Sequence, residues 1–219
     1  MLLTVASFKG GVGKTTTAVH LAAYLARQAP TLLLDGDPNR SATGWARRGA
    51  EAGASLPFRI ADERQGPKLS RQYEHVVVDT AARPSEEDLR ELASACDLLV
   101  IPSTPDVLAL DALLQTVDAL RSIGAGNFRV LLTVVPPRPS RDGDEARALL
   151  ADAGLPLFAG TVRRLAAFQK AALAGVPVSE VRDPRAADAW ADYAAVGAEI
   201  GAQLGVADLG AGQGTGGTR

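Results

Sequence analysis

The run Lys9-Gly10-Gly11-Val12-Gly13-Lys14-Thr15-Thr16, set directly behind the apolar stretch Leu2-Leu3-Thr4-Val5-Ala6, constrains this chain more than any other feature. An apolar strand, a glycine-rich turn and a helix beginning near Gly13 make a cradle for phosphates. Its backbone N–H groups point inward, and the helix N-terminus adds partial positive charge. Lys14 would reach the β- and γ-phosphates of a nucleotide, and the Thr15 hydroxyl would ligate Mg²⁺. The same residues would also serve in a plain surface turn. Lysine usage argues against that, because the chain has four lysines and two of them, Lys9 and Lys14, bracket the loop. Behind it, Ala18, Leu21, Ala22 and Leu25 recur at helical spacing and stop before Pro30, so the loop would be mounted on packed elements. Lys9, at the loop's entrance, is not needed to hold a nucleotide in its own subunit and asks for a second explanation.

Apolar runs alternate with longer helical segments along the rest of the chain, the mark of βαβ units and a parallel sheet. Strands are expected at residues 2–7, 31–34, 75–78, 98–101, 128–135 and 157–162. Helices are expected at 15–28, 85–95, 109–123, 144–153, 165–174 and 184–204, with a short helix and loop within 49–70. The fold class is therefore α/β, a P-loop NTPase with a mostly parallel twisted sheet flanked by helices on both faces. With 47% hydrophobic but only 5% aromatic residues, the core must be built of Leu, Val and Ala, as in helix-covered parallel sheets. Residues 1–204 read as a single domain, and the Gly-rich stretch 205–219 as a disordered tail.

Several function classes are disfavoured at this point. The lone Cys96 supplies neither a disulfide framework nor a cysteine-clustered metal site, and His20 and His75 read as structural. No apolar stretch reaches the roughly 18 residues of a membrane span, and no secretory signal precedes the first strand, so a cytoplasmic protein is expected. A net charge of −2 makes no global argument for nucleic acid, so any basic surface must be local.

In open α/β sheets ligands sit beyond the carboxyl ends of the strands. Asp35 and Asp37 follow the second expected strand, and Asp79 follows the third. Singly, each would be a turn residue or a helix cap. In this order behind a phosphate loop they suggest a Mg²⁺ site, with Asp79 in the Walker-B role.

Together, Lys9–Thr16, Asp35-x-Asp37-Pro38 and Val76-Val77-Val78-Asp79-Thr80 resemble the deviant Walker A, switch I and Walker B/switch II segments of the ParA/MinD family of P-loop ATPases. Leu99-Val100-Ile101-Pro102-Ser103-Thr104-Pro105 and Thr161-Val162-Arg163-Arg164, leading to Gly175-Val176-Pro177-Val178, are similar to further segments of that family. The similarity runs from residue 1 to about 204 and is strongest to the short, Soj-like ParA proteins of plasmid and chromosome partition. It implies ATP and Mg²⁺ as cofactors, with Lys9 through Thr16 lining the nucleotide, Thr16 at the α-phosphate, and Thr15, Asp35 and Asp79 at the metal. It implies that Lys9 crosses an ATP-sandwich homodimer to the partner's nucleotide, so that Lys9 and Lys14 act in catalysis with Asp37, which orients the attacking water. A ParB-like adaptor would stimulate a slow ATPase, and the ATP dimer would bind duplex DNA without sequence preference, making the protein nucleoid-associated.

The stretch from Arg163 to Arg185 carries Arg163, Arg164, Lys170, Arg182 and Arg185 against Glu180 and Asp183, and the resemblance makes these basic residues the DNA-binding candidates. The bland alternative is a solvated helix face with surface ion pairs. Three segments depart from the family pattern. Asn39 stands in place of Gln, Thr80-Ala81-Ala82-Arg83-Pro84 replaces a Pro- or Gly-rich run, and Pro136-Pro137-Arg138 replaces an Asn near the adenine. Backbone contacts would then serve the base. The first expectation is a partition ATPase, and the second is a ParA-like positioner of a non-DNA cargo such as a protein compartment or array. A MinD-like membrane ATPase is disfavoured because residues 205–219 contain no Lys and no large apolar face. A cluster-carrying relative would need paired cysteines, and a small-molecule kinase or synthetase would have no use for Lys9.

Overall fold

The computed structural model describes residues 1–206; most of the stretch read as a disordered tail, 207–219, lies outside the described residues. Six strands form one sheet in the order β3-β2-β4-β1-β5-β6. They are β1 (Leu2–Ser7), β2 (Thr31–Asp35), β3 (Arg59–Asp62), β4 (His75–Ala82), β5 (Leu98–Ser103) and β6 (Phe128–Leu132), and every pairing is parallel. The helices are α1 (Lys14–Leu25), α2 (Ser41–Glu51), α3 (Gly66–Leu69), α4 (Glu86–Ala95), α5 (Val107–Ser122), α6 (Asp142–Asp152), α7 (Ala166–Ala174) and α8 (Ala186–Leu204).

Side-chain alternation along the strands divides the core into two layers. Leu3, Val5, Leu33, Val77, Leu98, Val100 and Leu131 pack with α1, α2, α7 and α8. On the opposite face Leu99, Ile101, Val130 and Leu132 meet α4, α5 and α6, while Leu32, Leu34 and Val76 meet Leu69 of α3. Both faces are covered, as the near-continuous apolar strands require.

The expected strand at 157–162 does not form. Leu157 and Arg163 make isolated parallel bridges to Val130 and Val135. Between them the Ala159 and Gly160 N–H groups donate to the Glu199 carboxylate of α8, at 2.9 and 2.8 Å, rather than to a neighbouring strand. The sixth strand is β3 instead, a four-residue edge strand inside the segment read as helix and loop. β6 is shorter than expected and stops before Val134, whose left-handed φ of 52° ends the extended run.

α2 was not anticipated. Two glycines lie within it and its N-cap residue, Arg40, offers no side-chain cap, so the local signals for a helix are weak. Tertiary contacts hold it. Trp45 is buried and donates its indole N–H to the Val176 carbonyl at 3.2 Å, and Arg48 Nε donates to the Ala172 carbonyl at 2.6 Å. Gly49 lies so close to Gly175 that a Cβ on Gly49 would meet the Gly175 carbonyl oxygen at 2.4 Å. Gly175 also caps α7 at φ 70°, so both its backbone angle and its neighbour require glycine.

His20 fastens α1 to the C-terminal layer. Its Nδ1–H donates to the Thr16 carbonyl at 2.7 Å, and its Nε2 accepts from the Val178 N–H at 3.0 Å. The ring stacks on Tyr193 and meets Trp45 and Phe168 edge-on. The structural role read for it from sequence holds. Burial pushes its pKa down to about 4, opposed by the bond to Thr16. The unfolded chain therefore takes up this proton first, and the resulting stabilisation is complete above the unfolded value of 6.5 and lost as pH falls through 4. Between pH 7 and pH 4 the wild type is expected to lose about 3 kcal/mol more unfolding free energy than His20→Gln, read from urea denaturation at each pH.

Candidate nucleotide and metal site

The loop Phe8–Gly13 leaves β1 at the carboxyl edge of the sheet and enters α1. Gly11 and Gly13 adopt φ of 81° and 85°, and nothing lies within 4 Å of a Cβ built on either. The loop is held from below: the Lys9 N–H donates to Ser7 Oγ at 3.1 Å, and the Thr133 hydroxyl at the end of β6 donates to the Val12 carbonyl at 2.8 Å. Gly13 is the N-cap of α1 and supplies no capping side chain, and the first turn carries no acidic residue. The first N–H groups of α1 are thus left to an anion. Lys14 is buried, with only 8% of its surface exposed. Burial lowers its pKa, while Asp79 and Asp37 pull it back up.

The acidic residues sit where the register puts them. In the β2–β4 pair Asp35 stands opposite Asp79, and in the β2–β3 pair it stands opposite Asp62. Asp35 and Asp79 are fully buried. Asp35 Oδ2 accepts from the Thr43 N–H and hydroxyl, at 2.8 and 2.5 Å, but its Oδ1 has no partner, and neither oxygen of Asp79 has one. Burial raises the Asp79 pKa to about 7, with Asp35 and Asp37 adding to the rise and Thr15 and Lys14 opposing it. Buried carboxylate oxygens without donors, beside the Thr15 hydroxyl and a lysine, form an oxygen-donor set suited to a hard divalent cation. The residues present therefore fit Mg²⁺ together with a polyphosphate; when bound, the ion would neutralise phosphate charge.

Asp37 is half-buried. Its Oδ1 accepts from the Asn39 N–H and side-chain amide at 3.0 and 3.2 Å, and its Oδ2 from the Ser41 hydroxyl at 3.2 Å. Arg40, which adopts the left-handed region at φ 52°, anchors the same loop by donating to the Asp35 carbonyl and the Asp62 carboxylate, both at 2.6 Å. Asn39 thus has a local task, fixing the Asp37 carboxylate. Lys9 Nζ points away from the cradle to Asp106 Oδ1 at 2.7 Å.

A cavity of about 360 Å³ opens beside the loop, bounded by Gly11, Gly13 and Thr16 on one side and Thr133, Val134, Arg163, Arg164, Leu165 and Phe168 on the other. Its mixed apolar and polar wall suits a flat heterocycle attached to the phosphates. Pro136, Pro137 and Arg138 do not line it. The five basic residues assigned to DNA are therefore divided. Arg163 and Arg164 line this cavity, with the Arg163 guanidinium committed to Asp192 at 2.8 Å. Lys170 pairs with Asp183 at 2.7 Å and Arg185 with Asp188 at 2.5 Å, whereas Arg182 has no ion pair among the described residues. Three of the five are thus ion-paired within the chain. Arg40, Thr43, Thr133 and Asp106 escaped the sequence reading. Only Asp106 had a local signal, a capping position before α5, and nothing in sequence ties it to Lys9.

Residues 3–178 match the family described as CobQ/CobB/MinD/ParA nucleotide binding domain. The chain belongs to this family. It is 40% identical over 205 residues to the "Maintenance of carboxysome distribution protein A" of Gloeobacter kilaueensis, covering 91% of this chain and 93% of that one. The protein of the same name from Halothiobacillus neapolitanus is 31% identical, covering 82% and 87%. "Protein ParA" of Rhizobium radiobacter is 39% identical but over 51% of each chain. The fold is shared with a McdA–ATP complex from Cyanothece, with a TM-score of 0.70, 19% identity and coverage of 94% and 97%. The membership agrees with the expected P-loop architecture, and the matched residues span the loop, the three aspartates and all of the cavity's lining except Tyr193.

Lys14→Ala is expected to weaken nucleotide binding by about 10- to 100-fold, the loss of a charge-assisted bond to phosphate, and to lower the thermal midpoint, because the buried Asp79 carboxylate loses a nearby positive charge. Titration with a fluorescent ATP analogue, alongside a melting curve, checks both parts.

Proposed function

We propose that this chain is a Mg²⁺- and ATP-dependent dimerising ATPase that positions a protein-assembly cargo over DNA. The observation that supports this cargo over a replicon is the near-full-length identity to proteins named for carboxysome distribution, whereas the ParA protein matches over about half of each chain. This reading takes the second of the two expectations raised by the sequence. Partition of plasmid or chromosome DNA is the other reading and keeps support from that ParA match.

In the proposed cycle the α1 N-terminus and Lys14 hold the phosphates, and Thr15, Asp35 and Asp79 supply oxygens for the metal. The cavity beside Thr16 takes the base. Asp37, its orientation fixed by Asn39 and Ser41, has lone pairs left to align a water molecule toward the terminal phosphate. Lys9, on the open side of the loop, reaches the nucleotide of a second copy, where a positive charge stabilises the developing negative charge. Each copy thereby completes its neighbour's site, and hydrolysis separates them. The DNA contact falls to Lys170, Arg182 and Arg185, as phosphate neutralisation without base readout. An adaptor protein carried by the cargo stimulates turnover.

Duplex-DNA binding is expected with ATP but not ADP, to be lost in Lys9→Ala and kept in Asp37→Ala, and to fall steeply between 50 and 200 mM salt. Binding to anionic vesicles in place of DNA would overturn it. For the cargo, deletion of the gene in its host should cluster protein compartments while low-copy replicons are retained. Replicon loss with compartments still evenly spaced would favour partition.

A further inference from the structure

Lys9 and Lys14 stand five residues apart on the same loop and have opposite fates. Lys14 turns inward and is buried, while the Lys9 side chain keeps 32% exposure and ends on Asp106, 97 residues away, at 2.7 Å. Asp106 is also the N-cap of α5: its Oδ1 accepts from the Ala109 N–H at 3.1 Å, and its Oδ2 accepts from the Thr104 hydroxyl. The carboxylate is thus fixed from two sides by its own backbone and by Thr104, whereas the Lys9 ammonium is held by this contact alone among the described residues. A lysine held on its own subunit's α5 is not extended toward another subunit.

We propose that Asp106 is a positioning residue for Lys9, holding the entrance lysine in reserve on its own subunit so that formation of the ATP dimer must first break this ion pair. This rests on the dimerising reading above, in which Lys9 acts on the partner's nucleotide. A symmetric dimer breaks two such pairs, one per copy, so a modest contact counts twice. The pair is half-exposed and so contributes little on its own, and releasing both is expected to shift the dimer dissociation constant by about tenfold. Hydrolysis and loss of phosphate would return Lys9 to Asp106, favouring separation. The device sets how much protein and ATP are needed before the switch closes, without contacting the nucleotide itself.

The test measures dimer dissociation constants by sedimentation in the full chain carrying Asp37→Ala, with Mg-ATP and with Mg-ADP. Asp106→Asn keeps an oxygen able to cap α5 and removes the charge, so helix stability is retained. Asp106→Glu keeps the charge. The expected result is a dimer about tenfold tighter with ATP in Asp106→Asn, a near-parental value in Asp106→Glu, and a difference that shrinks in 0.5 M salt. Unchanged melting curves would separate this from a structural effect of the cap. An ATP dimer of equal or weaker affinity in Asp106→Asn overturns the proposal alone. Absence of an ATP-dependent dimer in every variant, including the parent, overturns the dimerising reading and the proposal with it.

Discussion

Two carboxylates buried side by side are the constraint on which the site depends. Parallel pairing of β2 with β4 puts Asp35 in register with Asp79, and three of their four oxygens find no donor in the protein. Burial raises the free energy of both charges, and like-charge proximity raises it further. The surroundings offset only part of this: Thr43 donates twice to Asp35, and Lys14 lies close enough to act on Asp79. The rest is left for a cation. A cation bound there would relieve that cost and so would stabilise the fold itself through mass action. Arg40 belongs to the same balance, since it ties the Asp35 carbonyl to Asp62 and fixes the loop that carries Asp37.

Legibility in the sequence followed how local the deciding forces are. β1, β2, β4 and β5 are apolar runs bounded by turn signals, and their pattern alone places them; the loop at Lys9–Thr16 carries its conformation in its glycines. α2 was illegible because its stability comes from contacts across the molecule, with Val176, Ala172 and Gly175, while its own glycines and absent cap speak against a helix. The strand read at 157–162 failed for the converse reason. Its alternation is genuine, with Phe158 and Val162 buried and their N–H groups donating to β6, but between them Ala159 and Gly160 turn to the Glu199 carboxylate and break the ladder. At the candidate site, the position of the glycine loop and of the aspartates at the strand ends was legible. The cavity beside the loop was not, because it joins Gly11 and Thr16 to residues beyond Val162 that only the fold brings near.

The same contacts show why the basic surface reads differently in sequence and in space. Counted along the chain, Arg163 to Arg185 is a positive stretch. In the structure Asp188 and Asp192, which lie just beyond it on α8, return to meet Arg185 and Arg163. Charge density on a helical surface is set by residues a turn or a helix away, so a linear window misstates it. Arg163 is the clearest case. Its partner Asp192 raises its pKa against the opposing effect of burial, and the bidentate pair serves the wall of the cavity rather than an open face.

α2 joins these parts mechanically. At its start Thr43 grips Asp35; at its end Gly49 rests on Gly175 and Arg48 on the Ala172 carbonyl of α7. α7 carries Lys170, and the segment behind it is fastened to α1 by the Val178 N–H on His20, four residues from Thr16. Two routes of direct contact therefore run from the glycine loop and the Asp35 carboxylate to the C-terminal helices, one through α2 and one through His20. Packed interfaces shift between discrete arrangements rather than deforming smoothly. A displacement of the Asp35–Asp37 loop when its carboxylates meet a cation would thus be carried to α7 through α2, by the close Gly49–Gly175 backbone contact and the Arg48 bond to the Ala172 carbonyl.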